Sequence, residues 1–307
     1  MEPKVIIIVG PTCSGKTSFA IQLAERLNTE IISADSRQIY KNLDIGTAKP
    51  DKEQLEKIRH HFISFLEPDE KYDVSRFEID ALNIIQRLSG KGKIPIVAGG
   101  SGLYIKALID GIFDTAGSDE ELRSEYLEKK RLYGNDFLHD ELKQVDPESA
   151  SNMLPQNWKR IMRALEVYHT TGKPISIHHM EQKRNINLNF IQFGLEWDRQ
   201  ALYKNIELRV EEMIINGLVE ETKSLIRKYD RSLNSLNTVG YKEIISYLYN
   251  EITLDRAVEL IKRNTRRLAK RQLTWFRKDS RVKWINKDEL NEDEIVEFIL
   301  RDIKKNN

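Results

Sequence analysis

Lys4–Val9 is an unbroken run of branched aliphatic residues after its first position, the pattern of a strand buried on both faces of a sheet. Gly15–Leu27 then switches to helical spacing. Glu30–Ala34 is a second short apolar run ending at Asp35-Ser36, and Val74–Leu88 is helical again. Ile94–Ala98 is another apolar strand, closed by Gly99-Gly100. Strands alternating with helices over short connections predict an α/β fold, a P-loop NTPase-like parallel sheet flanked by helices. Beyond about residue 110 the pattern changes. Ser118–Gln144 is highly charged, with Leu122, Leu127, Leu132, Phe137 and Leu142 spaced as an amphipathic helix or two. Pro155 introduces a helix over Trp158–His169, which stops at Thr171-Gly172-Lys173-Pro174. With few strand signals, 111–185 reads as a mostly helical insertion in a core made of 1–110 and 186–307. The sheet resumes at Asn189–Leu195. Asp198–Tyr229 predicts one or two helices broken at Gly217, Leu254–Phe276 a long helix, Arg281–Ile285 a short strand and Glu292–Ile303 a closing amphipathic helix.

Composition adds three constraints. At 307 residues, 40% apolar and 32% charged, the chain can bury a large core. No apolar run approaches the length of a membrane span, and the first strand begins too early to leave room for a secretory leader. The single cysteine, Cys13, excludes an internal disulfide and a cysteine zinc site and fits a reducing, cytoplasmic setting. Net charge is only +1, yet between Asn250 and Lys287 there are 12 Lys/Arg against 4 Asp/Glu. Such a concentration either attracts a polyanion or forms the solvated face of a helix.

Residues 10–17 read Gly-Pro-Thr-Cys-Ser-Gly-Lys-Thr, between the first strand and the first helix. This is the G-x-x-x-x-G-K-T phosphate loop in its required context. Glycines let successive N–H groups converge on phosphate oxygens at a helix N-terminus. Gly10, Pro11, Thr12, Cys13, Ser14, Gly15, Lys16 and Thr17 are the candidate diphosphate-binding residues, with Lys16 reaching the outer phosphate and Thr17 offering its hydroxyl to Mg²⁺. The loop names a ligand class and leaves the reaction open. A phosphoryl-transfer site wants an aspartate after a later strand for Mg²⁺, whereas Ile94–Ala98 ends in Gly-Gly-Ser-Gly. That departure leaves room for a loop that holds a diphosphate leaving group.

Asp35 follows the second strand, and ligands of parallel sheets bind beyond the carboxyl ends of the strands. Its carboxylate can orient or deprotonate an attacking group, stand near Mg²⁺, or cap a turn. Ser36 and Gln38 suit a nucleobase edge or ordinary turn bonding. Arg263, Arg266, Arg267, Lys270 and Arg271 lie at helical spacing and can meet backbone phosphates. Trp275 and Phe276 fit core packing better than base stacking, and Tyr104 fits either. His60-His61 and His178-His179 are weak metal signals without a cysteine cluster.

Several longer segments carry a more specific pattern: Asp44-Ile45-Gly46-Thr47-Ala48-Lys49-Pro50, Gly99-Gly100-Ser101-Gly102-Leu103-Tyr104, Arg160–Val167, Val239-Gly240-Tyr241 and Ala269-Lys270-Arg271-Gln272-Leu273-Thr274-Trp275-Phe276. With Gly10–Thr17 and Asp35–Tyr40, the chain resembles the tRNA dimethylallyltransferases from about residue 5 to 285. The resemblance implies transfer of a dimethylallyl group from dimethylallyl diphosphate to N6 of adenosine 37, beside the anticodon of tRNAs reading codons that begin with U. It implies Asp35 as general base, Lys16, Thr17 and Arg209 at the diphosphate, and Mg²⁺ beside Thr17. It further implies tRNA contacts at Asp35, Ser36, Arg37, Gln38, Ser101, Arg123, Gln156, Arg160, Gly240, Tyr241, Lys242, Lys270, Arg271, Gln272 and Arg277. The partners implied are the tRNA anticodon stem-loop and the diphosphate donor, with no membrane and no second protein, in a monomer. Ser101 stands where the family usually has threonine, Cys13 where it usually has a small residue such as alanine, and Leu154-Pro155-Gln156-Asn157 where it more often reads His-Pro-Asn-Asp. A nucleotide or small-molecule kinase, and an isopentenyltransferase acting on free AMP or ATP, are the competing functions. The basic helix and the insertion favour a macromolecular acceptor.

Overall fold

The structure is a computed structural model that describes residues 2–112, 119–181 and 186–305. In chain order its elements are β1 (Lys4–Val9), α1 (Lys16–Leu27), β2 (Ile31–Ser33), α2 (Lys52–Lys57), β3 (His60–His61), α3 (Val74–Ser89), β4 (Ile96–Ala98) and α4 (Gly102–Asp110). There follow α5 (Glu120–Val145), α6 (Pro147–Ser151), α7 (Trp158–Thr171) and α8 (Ile175–Glu181). The chain then runs through β5 (Asn189–Glu196), α9 (Arg199–Ile215), α10 (Leu218–Lys228), α11 (Tyr241–Leu248), α12 (Leu254–Phe276), β6 (Val282–Asn286) and α13 (Glu292–Lys305). Two compact units emerge, one of Met1–Ile109 with Ile186–Asn307 and one of Asp110–Asn185.

The first unit holds a six-stranded sheet in the order β3-β2-β4-β1-β5-β6, and every pairing is parallel. This is the α/β class that the alternating pattern predicts. β1 lies between β4 and β5, with Ile6 opposite both Ile96 and Ile191, and its residues Val5–Val9 are wholly buried. Their side chains alternate between two cores. Ile6 and Ile8 pack with Phe19, Leu23, Phe193 and Ile299, whereas Val5, Ile7 and Val9 pack with Phe77, Ile85 and Leu108. Two buried faces explain a strand that is apolar at successive positions.

β4 begins at Ile96 rather than Ile94, because Pro95 has no N–H to give the ladder; its carbonyl still accepts from Ile6 N at 3.0 Å. The edge strand β3 is a departure from the sequence reading, since two histidines carry no strand pattern. It forms because Ile31 and Ile32 of β2 need a neighbour. His61 pairs with Glu30 at 2.6 Å, which also accepts from Arg87, so this histidine belongs to a structural ion pair. Gly217, at φ 95°, separates α9 from α10 as the sequence suggests. A third core joins Ile39, Leu43, Val210, Leu218, Tyr241, Ile244 and Ile261 on the same unit.

The second unit is helical. α5 is divided at Gly134 (φ 85°, ψ −178°), so the expected helix is two segments; its expected start at Ser118 lies outside the described residues. Tyr126, Leu138, Leu142, Ile161 and Leu165 form its core. Asp146, 1% exposed, accepts from the backbone N–H and hydroxyl of both Ser149 and Ser176, so it caps α6 and ties α8 to it. Burial would raise its carboxyl pKa, but these four bonds outweigh burial and hold it below the usual range. Asp146→Ala removes both acceptor oxygens, and with them all four bonds, and is expected to cost about 3 kcal/mol. Urea unfolding followed by circular dichroism measures this, and a loss below about 1 kcal/mol would contradict it.

Candidate active site

The loop after β1 is shaped by its backbone. Gly10 passes so close to β5 that a Cβ there would stand 2.5 Å from the Leu195 carbonyl. Cys13 takes φ 63°, a left-handed conformation that side chains rarely adopt, and Gly15 at φ 82° opens α1. Trp197 braces the loop from the end of β5, its indole N–H donating to the Ser14 carbonyl at 3.2 Å. Ser14 is 1% exposed, and its hydroxyl has no partner among the described residues.

Lys16 turns its ammonium back onto the Pro11 carbonyl at 2.5 Å. Burial, the largest cause, and the Arg209 guanidinium push this ammonium down to about 8, against the raising influence of Cys13 and Asp35. Arg209 comes from the middle of α9 and reaches the Cys13 sulfur at 3.5 Å. Two cations therefore stand beside the loop, an arrangement that suits an added diphosphate.

Asp35 stands at the end of β2. Its Oδ1 accepts from the N–H groups of Arg37 (2.8 Å) and Gln38 (3.3 Å), the turn role that the sequence leaves open. Among the described residues no bond is made to Oδ2. Ser101 Oγ accepts from Ser36 N at 3.0 Å, which joins the loop after β4 to the one after β2. Gln38 is committed to the fold: its amide N–H₂ donates to the carbonyls of Thr47 and Ala48 at 3.2 and 3.1 Å, and its Oε1 accepts from Ser33 at 3.3 Å. Arg37 donates to the Asn234 carbonyl.

Two cavities open here, of about 530 Å³ over the phosphate loop and about 400 Å³ on the far side of Asp35. Lys16, Thr17, Gln54 and Glu212 line the first; Ser36, Arg37, Asn237, Lys242 and Arg271 line the second. Thr12, Cys13, Asp35, Thr47, Ala48, Gly100, Arg209 and Gln272 line both. The sheet thus brings the loop, Asp35, Ser101, Arg209, Lys242, Arg271 and Gln272 to one place.

Other expected contacts fall elsewhere. Tyr241 is wholly buried, its hydroxyl donating to Glu221 at 2.6 Å and accepting from Gly46 N at 3.1 Å, so its side chain meets the Asp44–Lys49 loop and offers no surface to RNA. Gly240 (φ 103°) begins α11 just before it. Lys270 and Arg277 line a separate cavity beside Trp197, and Arg277 pairs with Glu196 at 2.8 Å. In the helical unit Arg123 pairs with the buried Glu166 at 2.9 Å, while Gln156 and Arg160 are exposed. Phe276 is core, but Trp275 is 39% exposed, contrary to the packing expected of it, because it covers the chain at Gly102, where a Cβ would stand 2.3 Å from the indole. Tyr104 is core as well, stacked on Phe77 with ring centroids 4.1 Å apart.

The sequence reading missed Glu221, which accepts from the N–H groups of Asp44, Ile45 and Gly46 and so pins the loop bearing Thr47 and Ala48. It also missed Glu212 and Asn216, which line the first cavity. Their helical spacing from Arg209 was the available signal.

Among the described residues no group of three His, Cys, Asp or Glu is placed to hold a metal ion, and no helix is long and apolar enough to cross a membrane. The pattern of the IPP transferase family matches residues 38–279. The tRNA dimethylallyltransferase of Acetivibrio thermocellus is 51% identical over 295 residues, covering 95% of this chain and 94% of that protein. The tRNA dimethylallyltransferase of Carboxydothermus hydrogenoformans is 43% identical over 309 residues, spanning 100% of this chain and 99% of that protein. Among solved structures, the full-length tRNA isopentenylpyrophosphate transferase of Bacillus halodurans superposes with a TM-score of 0.74 at 37% identity, over 99% of this chain and 96% of that one. A eukaryotic dimethylallyltransferase acting on tRNA gives a TM-score of 0.80 at 31% identity, over 92% of this chain and 74% of that one. With a phosphate loop, a carboxylate and a basic helix converging at the strand ends, and with relatives matched over nearly their full length, the chain belongs to the tRNA dimethylallyltransferase (IPP transferase) family.

Proposed function

We propose that this protein transfers a dimethylallyl group from dimethylallyl diphosphate to N6 of adenosine 37 in tRNAs that read codons beginning with U, releasing diphosphate. The observation that supports this reading best is the meeting of two cavities at Asp35 and Arg209, one over the phosphate loop and one edged by cations. An in-line substitution needs a leaving group on one side of the reacting carbon and a nucleophile on the other, and the two cavities supply that division.

The allylic carbon–oxygen bond is weak once the charge leaving with diphosphate is stabilised. The loop N–H groups, Lys16 and Arg209 surround the place where that charge develops, and the buried Ser14 hydroxyl awaits an acceptor there. Thr17, a hydroxyl donor lining the first cavity, is the residue that would hold Mg²⁺, and the ion's charge would further neutralise the leaving group. The N6 amine of adenine is a poor nucleophile because its lone pair is delocalised into the ring. Asp35, held by the two N–H groups on Oδ1, accepts an N6 proton as the carbon–nitrogen bond forms. The base must leave its stack to reach Asp35. Arg37, Lys242 and Arg271 edge the second cavity, where the phosphates flanking an extruded nucleotide lie, and Lys270 continues the basic face of α12. In the helical unit the exposed Gln156 and Arg160, with Arg123 paired to Glu166, are further RNA contacts. The same proposal has the enzyme working in the cytoplasm, as a monomer. The competing kinase and free-adenylate readings find no support in the relatives.

Incubation with labelled dimethylallyl diphosphate, Mg²⁺ and either tRNA or free AMP tests this reading. Label is expected in tRNA, and Asp35→Asn is expected to lower single-turnover transfer by roughly 10²-fold while sparing tRNA affinity. Label in AMP alone, or an unchanged rate in the variant, would contradict it. The lowered pKa of Lys16 gives a pH dependence. In the free protein its ammonium is charged below about 8 and loses its charge as pH rises through that value, so donor affinity weakens on the alkaline side. Between about pH 7 and 9.5 the Kd for the donor is expected to rise several-fold in the wild type and to stay flatter in Lys16→Met. Identical pH profiles for the two proteins would reject this role for the ammonium.

A further inference from the structure

Helix α12 has two faces with different tasks. Arg267, Lys270 and Arg271 are exposed on it, whereas the adjacent Gln272 is turned inward. Gln272 Oε1 accepts from Thr12 N at 2.8 Å, and its Nε2 donates to the Gly100 carbonyl at 3.1 Å. One carboxamide thus joins the phosphate loop to the loop after β4.

What lies at the far end of each bond gives this joint its consequence. The Thr12 N–H and the Pro11 carbonyl belong to a single peptide plane. That carbonyl is the acceptor for Lys16 Nζ. Gln272, the Pro11–Thr12 peptide and the Lys16 ammonium therefore form one chain of hydrogen bonds in which each link polarises the next. On the other side, Gly100 precedes Ser101, whose hydroxyl accepts from the N–H of Ser36, the neighbour of Asp35. The joint is sterically tight, since a Cβ at Gly100 would stand 2.2 Å from Gln272 Nε2. The chemistry is equally restrictive. Thr12 requires an acceptor and Gly100 a donor; a neutral carboxamide is both, whereas a carboxylate cannot donate and a thioether is only a weak acceptor.

We propose, building on the prenyl-transfer reading above, that Gln272 is a positioning residue that couples RNA engagement on the outer face of α12 to the diphosphate cradle. Phosphates that hold Lys270 and Arg271 set the rotation of α12 about its axis. That rotation fixes the carboxamide, which orients the Pro11–Thr12 peptide and, through it, the Lys16 ammonium. The same carboxamide holds the Gly100–Ser101 segment against Ser36, so both reacting sides are set by one helix.

The test measures binding of inorganic diphosphate with Mg²⁺, and of an anticodon stem-loop RNA, each alone and in the presence of the other. In the wild type, RNA is expected to tighten diphosphate binding by about 3- to 10-fold, with the same factor in reverse. In Gln272→Met that factor is expected to fall to within about 2-fold of unity. Gly100→Ala, which displaces the carboxamide from the opposite side, is expected to reproduce the loss and serves if the methionine variant does not fold. A coupling factor unchanged in a folded variant, or no coupling in the wild type, overturns the proposal. A wild-type protein that shows coupling but moves no dimethylallyl label to tRNA would instead defeat the functional reading on which the proposal rests.

Discussion

Six strands that all run in one direction must release all their following loops at one edge of the sheet. That constraint places the phosphate loop after β1, Asp35 after β2, Gly99–Ser101 after β4 and Trp197 after β5 within reach of one another. Between β1 and β4 the chain leaves the sheet in opposite directions, and a crevice at such a switch point needs no other element to create it. The tightest packing follows from the same convergence. Gly10 runs against Leu195 and Gly99 against Ala34, where added Cβ atoms would come within 2.5 and 2.1 Å of backbone oxygens. The strand ends are close enough that small residues are required there.

The helices returning to this edge bring the charge. Arg209 arrives on α9 and Arg271 with Gln272 on α12, both anchored by capped N-termini at Asp198 and Thr253. Burial, and after it the Arg209 guanidinium, holds the Lys16 ammonium below its usual range. Asp35 has one carboxylate oxygen held by turn bonds and lines both cavities.

Most of the core was legible because its elements carry strong periodic signals. The apolar run Val5–Val9 can only be a doubly buried strand, and Gly217 with its left-handed φ ends one helix and starts another. The phosphate loop and Asp35 were legible for a related reason: a fixed spacing after a strand determines where a side chain emerges. What stayed hidden depends on tertiary partners. β3 consists of two histidines that become a strand only because β2 has an open edge. Gln38 looks like a base-reading residue until Thr47 and Ala48 are folded onto it. Tyr241 sits in a segment that resembles an RNA contact, yet Glu221, 20 residues earlier in the chain, draws its hydroxyl inward. A chemical type can be read from sequence, but the direction in which a side chain faces is set by neighbours that are distant along the chain.

The central claim is that donor and acceptor reach the reacting centre from different cavities and meet at Asp35. The direct measurement is a crystal structure with an unreactive analogue of dimethylallyl diphosphate and an anticodon stem-loop bound together. The diphosphate is expected on the Gly10–Thr17 loop between Lys16 and Arg209, with adenine 37 entering past Arg37 and Arg271 and its N6 within about 3 Å of the Asp35 carboxylate. An adenine lodged on the phosphate-loop side, or an N6 far from Asp35 with both ligands in place, would contradict the account.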